Sequence, residues 1–156
     1  MKLSFLTSAL VLALVTGAEA HDFKVGALVI DHPWSRATPK GAAVAGGYMK
    51  ITNTGTTADR LTGGTTDAAK KFEIHEMKME GSVMKMRELS DGLEIPPGAT
   101  VELKPGSYHI MMTTLARPFA KGDRVKASLT FEKAGKVDIE FAVDAAGGGS
   151  AKEHKH

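Results

Sequence analysis

The sequence predicts an all-β protein, a sandwich or barrel that is built from many short strands in a single domain. Runs of β-branched and apolar residues alternate with Gly, Pro, Asn and Asp, and no segment sustains a helical period. Turn-forming clusters recur at short intervals, as in Asn53-Thr54-Gly55, Pro96-Pro97-Gly98 and Lys133-Ala134-Gly135. Strands separated in this way are typical of sandwiches and barrels, and the chain is long enough for one packed core.

The N-terminal segment has the layout of a secretory signal peptide. Lys2 provides a positive charge, Leu3–Val15 is apolar, and Ala18-Glu19-Ala20 has the small residues of a cleavage site. We therefore predict that residues 1–20 are a signal peptide cleaved after Ala20, so that the exported chain begins at His21. The apolar run is short for a membrane anchor, which makes an uncleaved anchor the less favoured alternative and predicts no stable membrane insertion.

The predicted strands lie between residues 28 and 143. In chain order they are Leu28–Thr38, Ala43–Thr54, Arg60–Thr65, Lys71–Met79, Val83–Leu89, Thr100–Leu103, Tyr108–Thr114, Arg124–Glu132 and Val137–Val143. Beyond the last strand the chain becomes glycine-rich and then wholly polar. The folded domain is therefore expected to cover residues 21–144, and residues 145–156 are expected to form a flexible tail.

Composition excludes several classes of function. The chain has no cysteine, so zinc-finger, iron–sulfur, blue-copper and thiol-redox sites lack their thiolate ligands. The net charge of +2, spread along the chain, does not make the concentrated basic patch of a nucleic-acid surface. No nucleophile–base pair or carboxylate dyad has a suitable setting, so we do not expect an enzyme.

Methionine is clustered in a way that core packing does not explain. Of the eight methionines, four lie within Met77–Met86 and two more are Met111 and Met112. Side chains alternate along a strand, so His75, Met77 and Met79 would share one face. A type II′ turn at Gly81-Ser82 would then align three cross-strand pairs on that face: Met79 with Met84, Met77 with Met86, and His75 with Glu88. A slip of one residue would destroy this grouping.

A second strand repeats the combination of imidazole and thioether. His109 and Met111 would share one face, while Tyr108, Ile110 and Met112 would point into the core. Neutral imidazoles and thioethers form a soft donor set that suits Cu(I) and suits magnesium or calcium poorly. The alternative is structural, since a methionine stripe often belongs to a core and a buried histidine is often only hydrogen-bonded.

The spacing of these residues resembles the signature of the PCuAC-type periplasmic copper chaperones. That signature is a histidine, ten residues, a methionine, about twenty-one residues, and His-x-Met. Here ten residues separate His75 from Met86, and twenty-two separate Met86 from His109-Ile110-Met111. The extra residue falls in the turn-rich stretch Asp91–Gly106, where added length costs little. The resemblance covers roughly Val25–Val143, including the segments Asp31–Thr38, Gly46–Asn53 and Gly92–Pro96.

The resemblance implies a cupredoxin-like β-barrel and a solvent-accessible Cu(I) site. Its ligands would be His75, Met86, His109 and Met111, with Met77 as an alternative thioether. It also implies a periplasmic chaperone that gives copper to a partner in cytochrome c oxidase assembly, either an oxidase subunit or a Sco-type assembly factor. A copper-resistance or storage protein and a purely structural adhesion or assembly domain are the alternatives.

Other residues of these strands are expected to have auxiliary or structural roles. Met79 and Met84 are expected to shield the site or to capture copper transiently. Trp34 and Arg36 are expected to lock the barrel, and His32 is expected to be structural.

The two ends of the chain offer a second, weaker metal site. After cleavage, His21 would combine its imidazole with a free α-amine, a chelating pair that suits Cu(II), and His154 and His156 could add nitrogen donors. A tail without any such role is an equal alternative.

Overall fold

The computed structural model describes residues 22–146, in which every regular element is a β-strand. The strands are β1 Phe23–Val25, β2 Leu28–Arg36, β3 Val44–Asn53, β4 Asp59–Thr65, β5 Ala69–Glu80, β6 Val83–Glu88, β7 Leu93–Ile95, β8 Thr100–Leu103, β9 Tyr108–Leu115, β10 Arg124–Phe131 and β11 Gly135–Asp144. Within the same range there is no helix with the length and hydropathy needed to cross a membrane. The predicted all-β class is confirmed.

One continuous sheet runs in the order β6-β5-β9-β3-β2-β11-β10-β4-β7, with β1 beside β2 and β8 beside β3. Neighbouring strands are antiparallel except β2 and β11, which run parallel where Trp34–Arg36 lies beside Ala142–Asp144. Strand β9 lies between β5 and β3, so the predicted hairpin and the predicted His-x-Met strand are neighbours in the sheet.

The core follows from strict alternation along the strands. In β10, Val125, Leu129 and Phe131 are buried while Arg124 and Lys126 are exposed, as expected for a strand with one face toward the interior. Packing is close enough to require glycine at position 47. A Cβ there would lie 2.9 Å from the ring of Phe141, which is fully buried and cannot move aside.

The sequence did not predict strands β1 and β7, because each has only three residues, too few to show the alternation of a strand. In β7, Leu93 and Ile95 are buried on either side of exposed Glu94, between Gly92 with a φ of +83° and Pro96. The nine predicted strands are all present, with ends displaced by at most two residues. For example, the first predicted strand ends at Arg36 rather than at Thr38.

Strand β2 contains a bulge at His32-Pro33. The pairing with β3 shifts between Asp31 and Trp34, and His32 adopts a left-handed φ of +46°. Proline has no N–H to donate to the neighbouring strand, so the ladder is interrupted there. His32 is exposed at this irregularity, and the structural role expected for it stays a prediction.

Asp59 fastens the start of β4 to the turn between β10 and β11. Its carboxylate accepts hydrogen bonds from the backbone N–H groups of Arg60 (2.7 Å), Lys133 (2.9 Å) and Ala134 (2.9 Å). Burial by itself would raise the pKa of Asp59, but the three N–H groups and the charge of Lys133 lower it, and the net pKa lies below the ordinary 3.8.

Candidate metal centre

The β5–β6 hairpin has the predicted register. Met79 pairs with Met84, Met77 with Met86, and His75 with Glu88. Gly81 has a φ of +63° and Ser82 does not have a positive φ, as a type II′ turn requires. A two-residue loop thus places one imidazole and four thioethers on a single face of the hairpin.

Strand β9 presents the second imidazole directly beside the first. His75 and His109 are paired across β5 and β9, and their ring centroids are 5.7 Å apart with a tilt of 44°. His109 is 7% exposed, and the neighbouring Ile110 and Met112 are fully buried on the opposite face, as predicted. The pairing of these strands therefore brings the two predicted imidazole ligands together.

The ring of His109 is held by a residue just before its strand. Its Nδ1–H donates a hydrogen bond of 3.1 Å to the backbone carbonyl of Ser107, which also accepts the backbone N–H of Met77 at 3.1 Å. With Nδ1 protonated, Nε2 of the neutral ring keeps its lone pair for a metal. The site is thereby oriented by a backbone group that the sequence analysis did not identify.

His75 has a different arrangement. Its Nε2 lies 2.9 Å from Oε2 of Glu73, and its Nδ1 is buried without a hydrogen-bond partner. A carboxylate that accepts Nε2–H leaves the lone pair on Nδ1, which is how carboxylates orient metal-binding histidines. The orphaned nitrogen fits a ligand position, because a buried nitrogen without a partner otherwise costs free energy.

Glu73 was missed by the sequence analysis, although the signal was present. It lies two residues before His75, so strand alternation already placed it on the same face as His75 and Met77. Its position opposite Met111 depends on the pairing of β5 with β9, which only the structure reveals.

The thioethers of Met77, Met86 and Met111 line an open cavity of about 320 Å³. Its lining includes four of the predicted donors or accessory donors: Met77, Met86, His109 and Met111. Met86 is 50% exposed, whereas Met77 and Met111 are partly buried. Within residues 22–146 no three His, Cys, Asp or Glu side chains converge into a possible metal site, and the donors that line this cavity beside His109 are thioethers.

Two aromatic residues, Tyr48 and Trp34, lie at or beside the cavity. Tyr48 lines it, and its ring centroid lies 4.5 Å from that of Trp34, over which the Arg36 guanidinium sits at 5.8 Å. Burial raises the pKa of Tyr48, which keeps the phenol neutral. Trp34 and Arg36 therefore pack beside the cavity on β2, and Tyr48 separates them from the donors.

A larger groove of about 460 Å³ lies elsewhere, between β4, β10 and β11. Its lining contains Asp67, Lys126, Asp138 and Glu140 but neither imidazole nor thioether. Size alone therefore does not locate the candidate metal centre, whereas the donor chemistry does.

The protonation of His109 gives a first testable prediction. Burial lowers its pKa below the ordinary 6.5; the Ser107 carbonyl opposes this, and nearby His75 reinforces it. NMR titration of the metal-free protein should give a midpoint below 6.5 for His109. Because the unfolded chain takes up the proton first, His109 should also make the domain lose stability as the pH falls from about 6.5 through the folded pKa. A midpoint at or above 6.5 would contradict the proposed burial of this ring.

The structure places Met77, Met86, His109 and Met111 on the lining of one cavity. His75 is not a lining residue, but its ring lies beside that of His109 on the neighbouring strand. His21, His154 and His156 lie outside the described residues, as do the predicted signal peptide and almost all of the tail. The Cu(II) site at the ends of the chain stays a prediction from the sequence.

Comparisons with known proteins match this architecture. The family model LpqE-like, described as "Putative lipoprotein LpqE-like", matches residues 28–143. The chain is 32% identical over 102 residues to "Putative lipoprotein Lxx21020" of Leifsonia xyli subsp. xyli, and the alignment covers 65% of this chain and 60% of that protein. The chain thus spans about three-fifths of the length of this curated relative.

Solved structures are similar over most of the chain. The copper-bound PCuAC domain from PmoF2 is 30% identical with a TM-score of 0.69, covering 80% of this chain and 98% of its own. The apo PCuAC domain from PmoF1 gives the same identity and TM-score, with coverages of 80% and 99%. The solution structure of apo-DR1885 from Deinococcus radiodurans is 19% identical with a TM-score of 0.60, covers 93% and 97%, and supports the fold alone. The predicted cupredoxin-like fold is confirmed.

Proposed function

This chain belongs to the LpqE-like family, which is the PCuAC family, and from that premise we propose that it carries Cu(I) outside the cytoplasm and hands it to another protein. The observation that carries the proposal is the set of donors on the joined face of β5, β6 and β9. In each of His75 and His109 one ring nitrogen is hydrogen-bonded and the other keeps a lone pair for a metal. The thioethers of Met86 and Met111 lie on the same face.

The chemistry of these donors selects the cargo. Neutral imidazoles and thioethers add no negative charge to the site, so a soft, singly charged ion is accommodated better than a hard dication. In the proposed complex, His109 would bind through Nε2 and His75 through Nδ1, with Ser107 and Glu73 holding the two rings. Met77, which also lines the cavity, would be the accessory thioether.

The exposure of the candidate site favours a protein that carries copper over one that keeps copper permanently as a cofactor. Met86 is half exposed at the edge of the sheet, and the cavity opens to solvent. An acceptor can therefore replace one thioether at a time while the buried imidazole of His109 still holds the ion. This use of the site is binding and release, with no catalytic step.

The proposal also covers the cellular location of the protein and the protein that receives the copper. Export rests on the signal-peptide pattern with cleavage after Ala20 and on the lipoprotein name of the relative. The resemblance to PCuAC chaperones supports a periplasmic location and a recipient in cytochrome c oxidase assembly, either an oxidase subunit or a Sco-type factor. Copper resistance or storage is the alternative, and it requires well more than two copper ions per chain or no transfer.

Anaerobic Cu(I) titration with X-ray absorption of the product tests the proposal. We expect one tightly bound Cu(I) with both nitrogen and sulfur neighbours, and transfer of that ion to an oxidase copper domain. Zinc should not compete at this site, because thioethers are poor zinc ligands. Nitrogen and oxygen neighbours alone, or zinc occupancy after purification, would contradict the assignment.

A Cu(II) position at the ends is a separate part of the proposal. It would use His21 with its α-amine, joined by His154 and His156. Electron paramagnetic resonance of Cu(II)-loaded protein, with and without residues 151–156, distinguishes such a site from spectator tails.

A further inference from the structure

We propose that Met79 and Met84 form a second, outer Cu(I) position at the tip of the β5–β6 hairpin, through which copper enters and leaves the inner site. The inference rests on the proposed function and adds a route to it. The inner site is defined here as His75, Met86, His109 and Met111, and the outer pair as Met79 and Met84.

The outer pair continues the donor row of the inner site. Met79 lies directly opposite Met84, one step of the register closer to the turn than Met77 and Met86. The Glu80–Val83 pair closes the two-residue turn, so hydrogen-bonded and non-hydrogen-bonded pairs alternate from there. Both methionine pairs are then non-hydrogen-bonded pairs, in which opposite side chains approach most closely. Consecutive pairs on one face are about 7 Å apart, a distance that flexible methionine side chains can bridge.

Folding does not account for methionine at these positions. Met79 is 53% exposed and Met84 is 46% exposed, and all six residues of β6 are exposed. An edge strand that contacts water on both faces usually carries charged or β-branched residues, because exposed apolar side chains invite association. Met79 and Met84 therefore contribute little buried apolar surface, and we infer that their sulfur atoms explain their presence.

The opposite face of the hairpin carries ion pairs. Lys85 contacts Glu80 at 2.6 Å and Arg87 contacts Glu76 at 2.7 Å, both across the two strands. The backbone pairing and the Gly81-Ser82 turn set the alignment of the strands, and these exposed ion pairs add a small contribution from the face opposite the methionines. The outer thioethers are therefore opposite one another and exposed to solvent.

Ligand type makes the outer position weaker than the inner one. Two thioethers, with Met77 or Met86 as a third, give a soft site without imidazole, which binds Cu(I) and releases it readily. When copper leaves, a bond to an outer sulfur forms as a bond to an inner donor breaks, and when copper enters, a bond to an inner donor forms as a bond to an outer sulfur breaks. The ion remains Cu(I), and neither an electron nor a proton moves.

The test is NMR of protein labelled with ¹³C at the methionine methyl groups, during anaerobic addition of Cu(I). The first equivalent should shift the methyl groups of Met86 and Met111. The second should shift those of Met79 and Met84, with an affinity at least about a hundredfold weaker. No shift of Met79 and Met84 at three equivalents would overturn the proposal.

A leucine double variant separates sulfur from apolar surface. Met79→Leu with Met84→Leu should bind the first Cu(I) within about twofold of the wild-type affinity, lose the second, and release copper to excess bicinchoninate about tenfold more slowly. Val83→Leu is the matched control, an exposed apolar exchange on the opposite face of the same hairpin. Release at the wild-type rate from the double variant would overturn the relay.

Failure of the proposed function has a different signature. The methyl groups of Met86 and Met111 would then stay unmoved at the first equivalent, which overturns both the inner site and the relay. If those two groups shift while Met79 and Met84 do not, only the relay is wrong.

Discussion

Replacing His109 and Met111 together by leucine is expected to lower the Cu(I) affinity by at least about a hundredfold, or about 2.8 kcal/mol, while the domain stays folded. Two of the four inner donors are lost, including the imidazole whose Nε2 is held ready by the Ser107 carbonyl. That carbonyl keeps its hydrogen bond from the N–H of Met77, so the change leaves no orphaned acceptor. Competition with a calibrated Cu(I) chelator measures the loss.

The matched control removes the same two residue types elsewhere. His32→Asn with Met49→Leu exchanges an exposed histidine at the β2 bulge and a buried core methionine, neither of which lines the cavity. Asparagine tolerates the left-handed conformation of position 32, and leucine conserves the volume of methionine. This control should bind Cu(I) as the wild type does. Wild-type affinity in the His109/Met111 variant, with an unchanged circular dichroism spectrum, would refute the site.

Asp59→Ala is expected to have the largest effect on stability, a loss of about 3 kcal/mol in the free energy of unfolding. Asp59 is 8% exposed, and removing its carboxylate leaves the backbone N–H groups of Arg60, Lys133 and Ala134 without acceptors. Asp91→Ala, at an exposed carboxylate, is the control and should be close to neutral. Urea unfolding at neutral pH measures both variants.

The same substitution should change the pH dependence of folding. The pKa of Asp59 is below its ordinary value in the folded state, so its contribution is fully present above about pH 4 and is lost as the pH falls through the folded pKa. The difference between wild type and Asp59→Ala should therefore narrow on acidification below about pH 4. A difference that stays constant from neutral pH down to pH 2 would show that the carboxylate charge is not responsible.

Local rules were sufficient to predict the hairpin. The two-residue turn at Gly81-Ser82 fixes which residues face each other, and strand alternation then fixes the shared face of His75, Met77 and Met86. The same alternation separated His109 and Met111 from the buried Ile110 and Met112. These features depend only on residues that are close in sequence.

Features that depend on strand neighbours could not be predicted in this way. The contact of His75 with His109 requires β5 to lie beside β9, a pairing between residues 34 positions apart. The placement of Tyr48 in the cavity depends on β3 lying on the other side of β9. Asp59 shows the same limit, since two of its three hydrogen-bond donors are more than 70 residues away. The alternation of residues within one strand carries no information about contacts between strands that are distant in sequence.

The parallel pairing of β2 with β11 determines when the molecule can finish folding. Strands β10, β4 and β7 join the remainder of the sheet order only through β11, whose residues 135–144 are the last strand of the described chain. During synthesis, the sheet therefore cannot close until this segment has left the ribosome. The closing contact spans more than 100 residues, and all-β folds with such distant pairings form in milliseconds to seconds.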